Sequence, residues 1–518
     1  MTSCGTPTFT CVLLLLVLAA LYGSAFSKER HTPIIDMASD GVLDQRSRHP
    51  RSPQKSAIIG TQLRNNNRGP QRRIDDAANE GDDNGNISRT RGGQKGGKGD
   101  RGRTGENGDR RRKFQEHMPL GVNRRTLALA EKVGNASSQF AFKLFSTVYP
   151  SLSYDTIISP HSVHTALSMM LLGARKTTKK EIFRTLGLRQ AGLNKVQVHR
   201  GYHALLATLG NTHDKVILHN ANGVFVKPSI PIEVAFREGI SQMYSAKFDN
   251  LDINNSAGPE APINNWVANA TGDRIRGLLP PGTITPLTGL VLINAIFFNA
   301  SWEKPFTERL TQPKPFTTAD GLVKQLQTMT AYTLCFSYAN HQDAEVIELP
   351  FRGDRLAMYI FLPSVNSSVG SLVQSLTNST DGGDSGQAVE AMLQNMQLKN
   401  IQLLMPKFTI ESGLLELTPH LQNMGIRKAF TQRADFSGIS AVDLAIDQVY
   451  HKAFIKVNEW GTEAAAATAV GFKFRSAPRI SKTVIVDRPF IFAIRDKTTK
   501  AVLFLGAFLG QAAGDAGM

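Results

Sequence analysis

Apolar positions recur at helical spacing over Arg125–Tyr149, where Leu127, Leu129, Ala130 and Val133 lead into Phe140, Leu144, Phe145 and Val148. Ser162–Gly173 repeats the pattern and ends on a glycine, which predicts a helix with a glycine C-cap. Val196–Leu209 predicts a third helix. Further along, the period shortens. Apolar runs over Leu290–Phe298, Leu356–Leu362, Ile401–Ile410, His451–Val457, Val484–Ile494 and Val502–Leu509 predict strands. Helices crowd the first half and strands the second, so the expected fold class is α+β. Neither a repeat nor a linker-like break interrupts 119–518. One large domain is therefore expected there, although a length of 518 residues alone suggests about three.

Upstream of residue 119 the pattern changes. Cys11–Leu21 is apolar but short for a membrane span, and Gly23-Ser24-Ala25 follows it as a cleavage site. Residues 1–25 are predicted to be a signal peptide, despite lacking Lys and Arg, and the chain is expected to be secreted, extracellular and free of membrane spans. Seven N-x-[ST] sequons, at Asn86, Asn135, Asn254, Asn269, Asn299, Asn366 and Asn378, are then open to glycosylation. Three cysteines exclude a disulfide-built scaffold. Removal of 1–25 would take Cys4 and Cys11 and leave Cys335 alone, so no intramolecular disulfide is expected.

Residues 26–118 hold 20 Lys+Arg against 13 Asp+Glu and few apolar side chains, which predicts a disordered basic Gly/Arg/Asn-rich extension. Six glycine-led triplets from Gly93 contain no proline and would make a poor triple helix. Gly92–Lys98 fits a phosphate-loop spacing, but Gly99 replaces the metal-binding hydroxyl and no strand precedes it. Arg91-Gly92-Gly93 resembles RNA-binding tails, yet no nucleic-acid partner is expected of a secreted chain.

The catalytic signals do not assemble. Gly383-Asp384-Ser385-Gly386 looks like a protease nucleophile motif but sits in a polar, Gly-rich stretch without the His motif or disulfides of such enzymes. No G-x-S-x-G elbow occurs. His199 and His203, four apart on a predicted helix, lack the further ligands zinc needs and are read as solvated. No enzyme and no metal site are expected.

Residues 456–476, KVNEWGTEAAAATAVGFKFRS, are the informative stretch. By propensity Glu463-Ala464-Ala465-Ala466-Ala467 is helical, yet it lies between strand-like runs. Drawn as a strand, it places Thr462, Ala464, Ala466, Thr468 and Val470 on one face. That face is uncharged, lacks proline and carries only small or β-branched side chains, so it can slide between two strands. Gly461 before it supplies the backbone freedom of a hinge.

This segment resembles the hinge and reactive-centre loop of the serpins, the serine protease inhibitor family. The resemblance covers 119–518 through Thr156–Val163, Leu292–Phe306, Pro406–Phe408, Asp435–Ser440, His451–Ala466 and Asp487–Ile494, in the family's order. It implies a single large domain of three β-sheets with eight or nine helices and an exposed reactive-centre loop at about 461–482. Trp460 departs from the family, where a charged residue is more usual, and is expected to perturb hinge mobility. The family's count of fourteen residues from the hinge glycine implies that the scissile bond is Arg475-Ser476, as in an antithrombin-type loop, with Arg479, Lys473 and Lys482 as alternative bait.

The implied activity is suicide inhibition of a trypsin-like serine protease in a covalent 1:1 complex formed by a monomer. Clotting or immune cascades are the settings the family suggests. Ser159, Ser162, Asn294 and His451 match the polar cluster under the sheet's opening point, and Trp302 the aromatic residue at its upper end. A non-inhibitory carrier is the rival expectation. No cofactor is required. The net charge of +16 and the cations Lys176, Lys179, Lys180 and Arg184 make a heparin-like glycosaminoglycan a candidate.

Overall fold

The first helix starts where its sequence can cap it. Asn123 Oδ1 accepts the N–H groups of Arg125 and Thr126 at 3.0 and 3.1 Å, and Thr126 Oγ1 accepts the Asn123 N–H at 2.8 Å. This structure, a computed structural model, describes residues 122–511 apart from 152, 211–215, 378–386 and 463–479. Those residues belong to the larger of two compact units. Residues 1–25 and 26–118, Asn86, Asn378, the Gly383–Gly386 motif, Glu463–Ala467 and the Arg475-Ser476 bond lie outside the described residues.

Nine α-helices and three sheets make up the described fold, numbered in chain order. The helices are α1 (Arg124–Val148), α2 (Pro160–Met170), α3 (Lys176–Thr185), α4 (Lys195–Gly210), α5 (Val234–Tyr244), α6 (Ala261–Ala270), α7 (Val369–Thr377), α8 (Gln387–Gln394) and α9 (Thr418–Asn423). The largest sheet runs β1 (Thr156–Ile158), β17 (Val502–Phe508), β16 (Phe490–Asp496), β8 (Leu356–Pro363), β7 (Ala344–Pro350), β6 (Val323–Asn340), β9 (Gln397–Pro406), β15 (Lys482–Ile485). β5 (Gln312–Thr317) also pairs with β6. A six-stranded sheet runs β10 (Phe408–Glu411), β13 (Phe454–Asn458), β14 (Gly461–Thr462), β4 (Leu290–Ser301), β2 (Val216–Val226), β3 (Lys247–Asn250). β11 (Leu415–Glu416) and β12 (Tyr450–His451) form the third. This is the α+β class, with the three sheets that the resemblance implies and nine helices among the described residues.

Between the two large sheets lies an aromatic core. Phe408 of β10 meets Phe490, Phe492 and Phe508 with ring centroids 5.8, 5.3 and 5.1 Å away. The strands of this core read as unbroken apolar runs because both faces of β8, β16 and β17 are buried.

Three predicted elements come out differently. Ile401–Ile410 is two strands, because the chain leaves one sheet at Pro406 and enters the other at Phe408. Val484–Ile494 likewise divides into β15 and β16 across Asp487-Arg488-Pro489, since proline cannot donate to a ladder. The second helix ends at Met170, not at Gly173. Gly173 instead gives Ile439 room: a Cβ there would sit 2.0 Å from Ile439 Cγ1.

Candidate functional site: the slot in the six-stranded sheet

Among the described residues no ladder joins β13 directly to β4; the two-residue strand β14 lies between them. Gly461 pairs with Asn458 on one side and Ser301 on the other, and Thr462 with Val457 and Ala300. Both pairings are antiparallel. The start of the predicted hinge is thus already a central strand.

The residue types explain why it fits. Gly461 has φ +150°, and a Cβ at this position would lie 1.9 Å from the carbonyl oxygen of Ala300. Only glycine passes here. Thr462 is fully buried, and its Oγ1 accepts the Ala300 N–H at 3.0 Å. A small β-branched side chain fills this position without leaving a polar group unpaired.

The turn before the hinge is anchored by residues that pattern reading missed. Asn458 Oδ1 accepts the N–H groups of Trp460 and Gly461 at 2.9 and 3.1 Å, a local cap that Asn-x-x-Gly can signal. Glu459, almost fully buried, accepts from Thr311 Oγ1 at 2.7 Å and pairs with Lys407 at 3.0 Å. Burial pushes the Glu459 carboxyl up, but Thr311 and Lys407 outweigh it and hold the group below its ordinary value. Trp302 donates its indole N–H to the Asn458 carbonyl at 2.9 Å and stacks on Phe351 with centroids 4.6 Å apart. The Trp460 carbonyl accepts the Trp302 backbone N–H at 2.8 Å, so Trp460 is tied into the turn through its backbone.

Beneath the slot, three of the predicted polar residues meet. His451 Nε2 accepts the Ser159 N–H at 2.9 Å, and Ser159 Oγ lies 2.9 Å from Ser162 Oγ and 2.8 Å from the Leu503 carbonyl. His451 is buried, and that burial lowers its pKa to about 4. The neutral ring is required, because a protonated Nε2 could not accept from Ser159. Asn294 does not join this hydrogen-bonded group. Its amide donates to Asn222 Oδ1, and its own Oδ1 is buried without a protein partner.

Other expectations are corrected. His199 is buried, not solvated. Its Nδ1 contacts Tyr244 OH at 2.7 Å, while His203 Nδ1 meets the Gln242 carbonyl at 3.0 Å. Among the described residues no three His, Cys, Asp or Glu side chains are grouped to hold a metal ion, and no helix is long and apolar enough to cross a membrane. Lys482 is not free bait: it lies in β15 with its ammonium 2.6 Å from Glu345 Oε1. Cys335 is disulfide-bonded in the uncleaved chain, whereas the lone thiol is the expectation for the chain after removal of residues 1–25. Of the described sequons, Asn254, Asn269 and Asn366 are exposed, whereas Asn135 and Asn299 are half-buried.

The described fold is a mixed one in which a two-residue strand lies between β13 and β4 of the six-stranded sheet. The family model for "Serpin (serine protease inhibitor)" matches residues 135–510. Serpin B6 of Pongo abelii is 32% identical over 380 residues, covering 73% of this chain and 98% of that protein. The solved structure of Serpin48 from the insect Tenebrio molitor, titled a highly specific serpin, has a TM-score of 0.62 at 30% identity. It covers 73% of this chain and 98% of its own. Human thyroxine-binding globulin, in complex with thyroxine, shares the fold at 24% identity, with a TM-score of 0.66 and coverage of 74% of this chain and 100% of its own. The chain belongs to the serpin family. Members of that family are generally protease inhibitors that form complexes with serine proteases and are not themselves enzymes.

Proposed function

We propose that this chain is a secreted inhibitor of trypsin-like serine proteases, acting by covalent trapping at Arg475-Ser476. The observation that carries the reading is the placement of Gly461-Thr462 between β13 and β4. Arg475 would enter a specificity pocket floored by aspartate. The protease serine attacks the Arg475 carbonyl, the amine of Ser476 departs with the C-terminal piece, and an ester links the two proteins. Residues from Thr462 onward then extend β14 along the slot. Fourteen residues at about 3.3 Å each carry the tethered protease roughly 45 Å. Glu463–Ala467, being small or flanked by small residues, follow Thr462 without a bulky side chain to obstruct them.

Secretion rests on the signal-like segment 1–25, and the exposed Asn254, Asn269 and Asn366 are the sequons best placed to carry glycans. The test mixes the purified protein with a trypsin-like protease on a denaturing gel and sequences the released peptide. A band at the summed mass with a new N-terminus at Ser476 is expected. Cleavage without an adduct would overturn the inhibitor reading in favour of a carrier, and a terminus after Arg479 or Lys473 would move the bait.

A further inference from the structure

A buried polar chain runs from α4 to β4, the strand that borders the slot. His199 of α4 is 6% exposed, and its Nδ1 lies 2.7 Å from the Tyr244 hydroxyl at the end of α5. That hydroxyl donates to the Ser168 carbonyl of α2 at 3.1 Å. Tyr244 passes the tie on through its backbone. Its carbonyl accepts from Asn222 Nδ2 of β2 at 3.2 Å, and Asn222 Oδ1 accepts from Asn294 Nδ2 of β4. The Asn294 side chain is held through that nitrogen, its Oδ1 being buried without a partner. The path ends on the strand whose Ala300 and Ser301 pair with β14.

One protonation state fits this path. Because Tyr244 gives its O–H to Ser168, its oxygen accepts from His199, so the ring proton of His199 sits on Nδ1. His199 Nε2 is buried and has no partner. A second proton there would make a charged donor with nothing to accept it, an arrangement a folded interior does not keep. The groups around the ring add no acceptor. α4 contributes Lys195 one turn back, and His203, whose Nδ1 meets the Gln242 carbonyl of α5 at 3.0 Å. α5 contributes the Tyr244 phenol and α2 a backbone carbonyl, while the Tyr202 ring of α4 lies 5.2 Å from Tyr244 with its hydroxyl at His164 of α2. Burial lowers the His199 pKa to about 3, with Lys195 adding to the effect, and burial raises the Tyr244 phenol, which stays a neutral hydroxyl in acid.

We propose that His199 is an acid-released tie on the slot, whose second protonation detaches α4 from Tyr244 and slackens the Asn222–Asn294 link on β4. An imidazolium is stable here only in water, so acid favours the state in which the ring has left the seam between α4 and α5. Tyr244 then loses its donor, and its carbonyl loses the position Asn222 needs. Coupling of this kind travels through contiguous bonded groups, and each link here is a named hydrogen bond. His161 and His164 lie off the path, the latter with both nitrogens engaged by Tyr202 and the Leu186 carbonyl. They form the background against which His199 is read. The inference does not depend on whether the chain traps a protease.

Hydrogen exchange of the full chain at pH 7 and pH 5, expressed as protection against free-peptide rates, tests it. A ring near 6.5 when open and about 3 when buried makes opening about 25-fold more frequent at the lower pH. The parent is expected to lose protection accordingly along α5 and at Ala221–Gly223 and Ile293–Ala295. His199→Asn keeps a donor but cannot titrate, and its acid response should be smaller by about that factor. Tyr244→Phe should raise exchange at the same strands already at pH 7. If it does not fold, Asn222→Ala replaces it, with the rise confined to β2 and β4. An equal acid response in the parent and His199→Asn, a His199-dependent loss confined to α4 and α5, or unchanged strands in the neutral-pH variant would each overturn the proposal.

Discussion

The two anchors of segment 463–479 are built on different principles. At its N-terminal side, β14 is two residues long, carries no charge and is flanked by strands on both sides. At its C-terminal side, β15 forms a four-residue parallel ladder with β9 at the edge of its sheet. Ser481 and Val486 extend that ladder by backbone bonds to Asn400 and Leu404, each 2.9 Å. Lys482 adds an ion pair to Glu345, whose Oε1 also accepts from Tyr338 at 3.0 Å. One end therefore rests on two backbone pairings and short local hydrogen bonds, without an ion pair. The other is held by a side-chain latch at an edge. Under the proposed function, a cut between them would free the first to travel and leave the second in place.

The comparison breaks most sharply at Thr462. Thr462→Arg puts a charge where the side chain is fully buried, and burying an unpaired charge costs several kcal/mol. Insertion should fail, and a gel with protease should show cleaved protein in place of the covalent band.

Acid acts on four buried histidines, of which His451 lies beneath the slot. Burial holds His161 and His451 at about 4, and His164 and His199 at about 3, below the usual 6.5. The folded state therefore binds fewer protons than the unfolded chain once the pH drops below 6.5. Stability is complete above that value and falls progressively toward pH 4, at about 1.4 kcal/mol per pH unit for each histidine that stays neutral. Thermal unfolding across pH 7 to 4 should show this decline, and a flat profile would show that the rings are not buried neutral.

Gly461→Ala comes next. The new Cβ meets the Ala300 carbonyl and adopts a disfavoured φ, at a cost of about 1–3 kcal/mol. Hydrogen exchange should reveal loss of protection at Thr462 and Ala300, with β15 unchanged. Lys482→Met is the mildest. Its ion pair is partly exposed, so about 0–1 kcal/mol is at stake, and exchange should quicken over Lys482–Ile485 alone.

Local periodicity made much of the fold legible: α1 and α4 begin and end within a residue of their apolar patterns. It failed where an apolar run changes sheets, as at Pro406–Phe408, because the run itself is continuous and only the partners differ. Of the hinge segment, the structure describes Gly461 and Thr462, which the sequence marks as a glycine followed by a small β-branched residue. Their register between β13 and β4 was not legible, since Ala300 and Ser301 lie about 160 residues upstream of Gly461. His199 and Lys482 were misjudged for a related reason: a polar residue reads as solvated until the fold supplies Tyr244 or Glu345 as its partner. Arg427 and Lys428 could not be joined to α3 by spacing at all, since their backbone N–H groups reach Glu181 only through the fold.

Under the proposed function, β14 is the first step of a strand that lengthens after cleavage. The most direct measurement cuts the loop after Arg475 with a trypsin-like protease and compares thermal unfolding of the cut and intact chains. The cut protein is expected to unfold at a higher temperature, with new exchange protection along β4 and β13. An unchanged or lowered unfolding temperature would show that the slot does not take up the loop.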